Sequence, residues 1–245
     1  ALGVSVSKLR WLAYHKDVDT GSHYVRFTIP KRDGSPRQIT APKPELKRIQ
    51  RFLLDNLLDR LTVHSAANGF VSNKSIQTNA MVHAGADVVV KVDIKDFFPT
   101  ITLPRVKGLL RKAGMSEQVA TIVALLVTES PRDVVDFRCP TLSKTPTARA
   151  LPQGSPASPM ITNALCVRLD KRMAGLAKRL GFTYTRYADD LTFSTKKTSS
   201  ASTPVGTLLH GVKLVLAGEG FVANDKKTTV MGGGSRNVAT IKLVV

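Results

Sequence analysis

The chain has 245 residues, 42% of them hydrophobic, which is enough for one large domain or two closely joined subdomains and excludes a disordered chain. Its 36 Lys and Arg against 18 Asp and Glu leave a formal net charge of +18, a field that selects polyanions and makes nucleic acid the simplest partner, with a merely solubilising basic surface as the bland alternative. No run approaches the ~18 apolar residues of a membrane span, no signal peptide follows Ala1, and Cys139 and Cys166 lack metal-type spacing, so no membrane partner and a cytoplasmic chain with free thiols are expected.

Leu2 to His15 has helical periodicity through Val6, Leu9, Leu12 and Ala13, with Ser5 or Ser7 as a cap. Tyr24 to Ile29 alternates like a strand, Pro30 to Pro36 reads as a hairpin turn, and Arg37 to Thr40 forms the return strand. Leu46, Ile49, Leu53, Leu57 and Leu61 mark a long amphipathic helix whose opposite face carries Lys47, Arg48, Arg51 and Asp55. A short helix is expected from Ile76 to His83.

Val88 to Ile94 is apolar except for Lys91 and Asp93, which suits a buried strand. Asp93 at the end of such a strand is costly unless it is paired or bound to a metal. Two helices follow, Leu103 to Ala113 and Ser116 to Glu129, and Ser130 to Ala150 reads as a loop. The prolines and glycine between Leu151 and Met160 bar regular structure until Pro159, which starts a helix running to about Leu180.

Phe182 to Thr195 holds two strand-like runs around Asp189-Asp190, so a hairpin with both carboxylates at its turn is expected. Pro204 fits the first position of another helix, carried by Val205, Leu208, Leu209, Val212 and Leu216. Phe221 to Met231 and Val238 to Val245 are further strand candidates, and no internal repeat is visible.

Asp189 and Asp190 side by side repel unless a cation lies between them, and a hard divalent ion takes oxygen ligands of this kind. Asp93 would join them only if a sheet pairs its strand with the hairpin. Two Mg²⁺ ions held by such a set can activate an attacking oxygen and stabilise the leaving oxygen of an in-line phosphoryl displacement. For the dipeptide alone, an ordinary acidic turn is the more common outcome.

In order along the chain, Val92-Asp-Ile-Lys-Asp-Phe-Phe-Pro-Thr-Ile101, Leu151-Pro-Gln-Gly-Ser-Pro-Ala-Ser-Pro159 and Tyr187-Ala-Asp-Asp190 resemble motifs A, B and C of reverse transcriptases, in wording close to the bacterial retron type. Ile29-Pro-Lys-Arg-Asp-Gly-Ser-Pro-Arg-Gln-Ile-Thr-Ala-Pro42 resembles that family's fingers, and Asn79-Ala-Met-Val-His83 its Asn-Ala-x-x-His element. The resemblance runs from about Leu2 to Met231.

The resemblance implies an α+β right-hand polymerase fold, with a palm of antiparallel sheet and helices on one face, of the split βαβ type. Residues 1–85 would form the fingers and 86–245 mainly the palm, with 103–150 as a segment that returns to the fingers. It implies that Asp93 and Asp189 bind both metals, that Asp190 is a further acidic ligand or support, and that the Ile94 carbonyl adds a ligand. Mn²⁺ would be a substitute for Mg²⁺. Phe98 resembles the steric gate against a 2′-OH, one of Phe97 and Phe98 being core. Lys31 and Arg37 resemble triphosphate ligands, a task suited to charge-assisted hydrogen bonds. Gln153 and Gly154 resemble the motif B pair, the glycine allowing close backbone approach.

Lys227, in Asn224-Asp-Lys-Lys-Thr228, resembles the motif D lysine that protonates pyrophosphate, with Lys226 as its competitor. Asn79 and His83 would recognise RNA or support the surface that does. The expected partners are an RNA template, an RNA or DNA primer, dNTPs, a retron non-coding RNA and an effector protein, in a setting of antiviral defence. The slot where retron enzymes carry Val-Thr-Gly reads Val238-Ala239-Thr240 here, which puts partner-RNA recognition through it in doubt. No thumb sequence follows before Val245, so either a fragment or a naturally thumbless protein is expected, with poor processivity. Two other functions compete: an RNA-templated RNA polymerase, which a gate at Phe98 argues against, and a non-catalytic RNA-binding module, which the complete acidic set argues against.

Overall fold

The computed structural model describes residues 3–13, 23–30, 34, 36–130, 148–196 and 204–232. Lys31, most of the expected 130–150 loop, the Val238-Ala239-Thr240 slot and the expected strand Val238–Val245 lie outside them. In chain order the elements are α1 (Val6–Ala13), β1 (Tyr24–Pro30), β2 (Pro36–Pro42), α2 (Pro44–Asn56), α3 (Ile76–Met81), β3 (Val88–Ile94), α4 (Leu103–Lys112), α5 (Glu117–Val127), α6 (Ser158–Leu165), α7 (Val167–Arg179), β4 (Thr183–Tyr187), β5 (Asp190–Thr195), α8 (Val205–Gly218) and β6 (Ala223–Gly232). They divide into two compact units, Ala1–Leu61 with Phe98–Ile161 and Thr62–Phe97 with Thr162–Val245.

The first unit holds the β1–β2 hairpin, paired antiparallel with Ile29 opposite Arg37 and Phe27 opposite Ile39. Its core gathers Leu46, Ile49 and Leu53 of α2 with Val106 and Leu110 of α4 and Ala120, Val123 and Ala124 of α5. α2 stops short of the Leu61 that its periodicity reaches. Leu57 leaves the helical region at φ −131° and ψ −54°, and Leu58–Arg60 tightens into a 3-10 turn. Buried Gln50 ties three segments: its amide donates to Tyr24 Oη at 3.0 Å and to the Leu126 carbonyl at 2.8 Å, and its oxygen accepts from Ser155 Oγ at 2.8 Å.

The second unit is built on a four-stranded sheet in the order β4-β5-β3-β6, with every pair antiparallel. With α6 and α7 between β3 and β4, and α8 between β5 and β6, this is the split βαβ arrangement. β3 is central, and all its residues except Lys91 are buried, which explains its nearly unbroken apolar run. α7 packs on β4 and on α8, with Met173, Leu208, Val212 and Leu216 buried.

The single helix expected from Pro159 to Leu180 is two helices. Cys166, fully buried, interrupts them at φ −79° and ψ 2°, in the sparsely occupied bridge region. Apolar spacing passes through this break unchanged, so periodicity could not reveal it. Pro204 caps α8 instead of occupying its first turn.

Candidate active site

β4 and β5 form a tight hairpin in which Tyr187 pairs with Asp190, leaving Ala188 and Asp189 as the two turn residues. Ala188 adopts φ +55°, a value that usually selects glycine, and Asp189 does not share it. Such strain persists where the surroundings over-determine it. Gly69 shows how closely they press: a Cβ there would lie 2.7 Å from the Ala188 nitrogen, so only glycine lets its backbone reach the turn. On the other side Ile94 N donates to the Asp189 carbonyl at 2.9 Å.

The register of β3 against β5 sets Asp93 directly opposite Asp190. Both are buried, at 6% and 8% exposure, while Asp189 is half-buried. Carboxylates facing across a ladder destabilise one another unless positive charge joins them. Here the charge is Lys227 of β6, whose Nζ stands 3.3 Å from Asp93 Oδ2, while Asn224 Nδ2 donates to Asp93 Oδ1 at 3.0 Å. The three aspartates therefore share one end of the sheet without forming a closed cluster: among the described residues no three His, Cys, Asp or Glu side chains converge on a metal position. The donors present are hard oxygens held against each other, which fits a divalent cation in the place that the Lys227 ammonium shares. Ile94 is buried at the end of β3, pairing with Ala223 of β6.

A buried polar network that the sequence reading did not single out lies behind the turn. Arg186 and Asp170 are both fully buried and form a fork, with Nε to Oδ1 and Nη2 to Oδ2 each at 2.8 Å. Burial alone would lower the guanidinium pKa, but Asp170 more than offsets this and holds it above its ordinary value. Tyr184 Oη donates to Asp170 Oδ1 at 2.8 Å, and burial raises the phenol well above its usual range. Arg186 Nη1 reaches Asn163 Oδ1 at 3.0 Å and the Ala188 carbonyl at 3.1 Å. A usable signal was present: a charged residue within each of two apolar patterns, Arg186 in a strand run and Asp170 beside Leu169 and Met173 on a helix.

Asn79 and His83 are interior residues, at 2% and 0% exposure. His83 Nδ1 lies 2.7 Å from Ser194 Oγ and Nε2 lies 2.6 Å from Thr185 Oγ1, so both ring nitrogens are engaged by β4 and β5. Neither side chain presents a surface to RNA. Of the two roles expected, a supporting one is what this burial matches. Burial pushes the imidazole down from 6.5 to about 4. The unfolded chain therefore binds the extra proton between those values, and stability present above about pH 6.5 is lost as pH falls towards 4, by about 3 kcal/mol. Urea unfolding at about pH 7 and pH 4.5 should show this excess loss in the parent chain and not in His83→Gln. An equal loss in both would assign the acid sensitivity to carboxylates.

The remaining expected residues among those described belong to the first unit. Arg37 is exposed on β2. Three residues along, Thr40 N donates to the Gln153 carbonyl at 2.8 Å. Gly154 has φ +128°, and a Cβ there would lie 2.9 Å from Ile39 Cγ2 and 3.0 Å from the Thr40 carbonyl oxygen, so glycine is required. Gln153 is half-buried and Gly154 exposed. Phe98 is half-buried, and its carbonyl accepts from Ile101 N, whose own carbonyl accepts from Leu151 N, each at 3.0 Å. Phe97 is the core member of the pair, buried in the second unit against Phe221 at a centroid distance of 5.6 Å.

Residues 29–239 match the family described as reverse transcriptase (RNA-dependent DNA polymerase). The chain is 58% identical over 98% of its length to the retron Mx162 reverse transcriptase of Myxococcus xanthus, covering 51% of that protein. It is 32% identical to the retron Ec86 reverse transcriptase of Escherichia coli, covering 98% of this chain and 68% of that one. It thus spans about half the length of some relatives and two thirds of others. A telomerase structure from Candida albicans shares the fold at TM-score 0.50 and 14% identity, over 85% of this chain and 42% of that one.

Proposed function

Because this chain belongs to the retron type of the reverse transcriptase family, we propose that it extends a primer hydroxyl with dNTPs on an RNA template. The observation that carries the reading is the pairing of buried Asp93 with buried Asp190 beside a strained two-residue turn. We take the second unit as palm and the first as fingers.

The primer hydroxyl loses its proton to solvent as its oxygen forms a bond to the α-phosphorus, the bond to the β-phosphate oxygen breaks, and pyrophosphate leaves. Divalent cations, Mg²⁺ in the cell, would lower the pKa of the attacking hydroxyl and neutralise the leaving oxygens. Asp93, Asp189 and Asp190 would hold them, with the Ile94 carbonyl as a further oxygen donor. Lys227 would give up Asp93 to the cation and stand ready to protonate pyrophosphate. Arg37, with Lys31, would hold the triphosphate, and Gln153 and Gly154 would line the sugar. The enzyme's share is positioning and charge stabilisation.

Retron RNA would serve as template, and an RNA 2′-OH as the priming group. An effector protein and a role in antiviral defence follow from the same family reading. A bacterial cytoplasm is the proposed setting, and no helix among the described residues is long and apolar enough to cross a membrane.

The test is competition between dNTPs and NTPs on a primed RNA template. Incorporation of dNTPs in preference to NTPs is expected, and Phe98→Ala should erode that preference by on the order of 10- to 100-fold through NTP use. A parent chain that prefers NTPs would make it an RNA polymerase instead.

A further inference from the structure

Strain at Ala188 calls for something that holds it, and the holding groups come from three distant segments. Ala66 to Gly69 runs beside edge strand β4: Arg186 N donates to the Ala66 carbonyl at 2.8 Å, and Asn68 N donates to the Arg186 carbonyl at 2.7 Å. Lys74 anchors this segment through the Ala67 carbonyl, 2.7 Å from its Nζ. The segment ends with Gly69 packed on the turn, and Asn163 Nδ2 donates to the Gly69 carbonyl at 2.8 Å. Asn163, 1% exposed, thereby joins Gly69 to Arg186, and Arg186 in turn grips the Ala188 carbonyl.

We propose that Arg186, Asn163 and Asp170, acting through Gly69, form a clamp that sets the Ala188–Asp189 turn so that Asp189 and Asp190 meet a divalent cation. None of the four touches the cation; all are positioning residues, and the inference rests on the metal-dependent reading above. The chemistry suits the task. Asp170 takes up the Nε–Nη2 edge of the guanidinium and leaves Nη1 for the turn and for Asn163, and a planar fork fixes direction as a lysine ammonium cannot. Full burial removes the water that would compete for these bonds. A shift of about 1 Å in the turn is enough to spoil a metal site.

The test is Mn²⁺ binding to the full chain, read by the loss of the free-ion electron paramagnetic resonance signal, alongside thermal unfolding without metal. Gly69→Ala keeps every side chain of the network and adds one methyl group against the turn backbone. It should weaken Mn²⁺ binding about tenfold or more in a folded protein, and raise the metal concentration needed for half-maximal primer extension. Asn163→Ala, which adds no atoms, should do the same. A folded variant pair with the parent's Mn²⁺ isotherm would overturn the clamp, and so would unfolding of both variants, because the network would then hold the fold and not the turn. Parent-chain Mn²⁺ binding that Asp189→Asn with Asp190→Asn leaves unchanged would overturn the metal site itself, and the clamp with it.

Discussion

Asp190→Asn is expected to reduce nucleotide incorporation by ~1000-fold or more, equivalent to about 4 kcal/mol of transition-state stabilisation, while leaving the metal-free protein at least as stable. The two effects have one cause. Asp190 sits opposite Asp93 in the ladder, and both are buried. Lys227 already offsets part of the repulsion between the facing charges, so removing one of them relieves what remains, less than ~1 kcal/mol, but it also removes the paired negative charge that draws a divalent cation. Stability and activity should therefore move in opposite directions, as at other sites where function is built on local destabilisation. Single-nucleotide incorporation and urea unfolding in metal-free buffer check the two halves. A variant that loses activity only because it unfolds would remove the cross-strand repulsion from the explanation.

Asp170→Asn should destabilise the fold by about 3–5 kcal/mol, the loss expected when a buried charge is left without its partner. Arg186 is fully buried, and two of its donors go to Asp170. A protein of this kind has ~5–15 kcal/mol in total, so a large drop in unfolding midpoint is expected. Removing both charges, as Asp170→Leu with Arg186→Met, should recover part of the loss, because no orphaned charge remains. A single variant within about 1 kcal/mol of the parent in urea unfolding would contradict the burial of this pair.

Much of the fold was legible where one physical rule dominates. β3 was visible as an apolar run of strand length, and the β4–β5 hairpin as two β-rich runs about a polar pair. The Asp93–Asp190 juxtaposition needed only the inference that these two segments pair. What escaped was decided by tertiary contact. Cys166 breaks a helix whose apolar spacing is uninterrupted, and Leu57 ends another in the same silent way. His83 in sequence fits a structural role as well as an RNA-facing one, and only the fold shows that Ser194 and Thr185 supply hydroxyls to it from two strands. The Asp170–Arg186 fork joins a helix to a strand and leaves only an unexplained charge in each pattern. The lysine on Asp93 was read as an acid for pyrophosphate, and its present partner could be known only from the register of β6.

The most direct measurement is extension of a primed RNA template by this chain with dNTPs and Mg²⁺, beside Asp189→Asn with Asp190→Asn and beside the parent chain in a chelator. Template-dependent extension by the parent alone, lost in the double variant and in the chelator, is the predicted result. Extension that survives the double substitution, or a folded parent chain that binds RNA and Mg²⁺ yet adds no nucleotide, would contradict it.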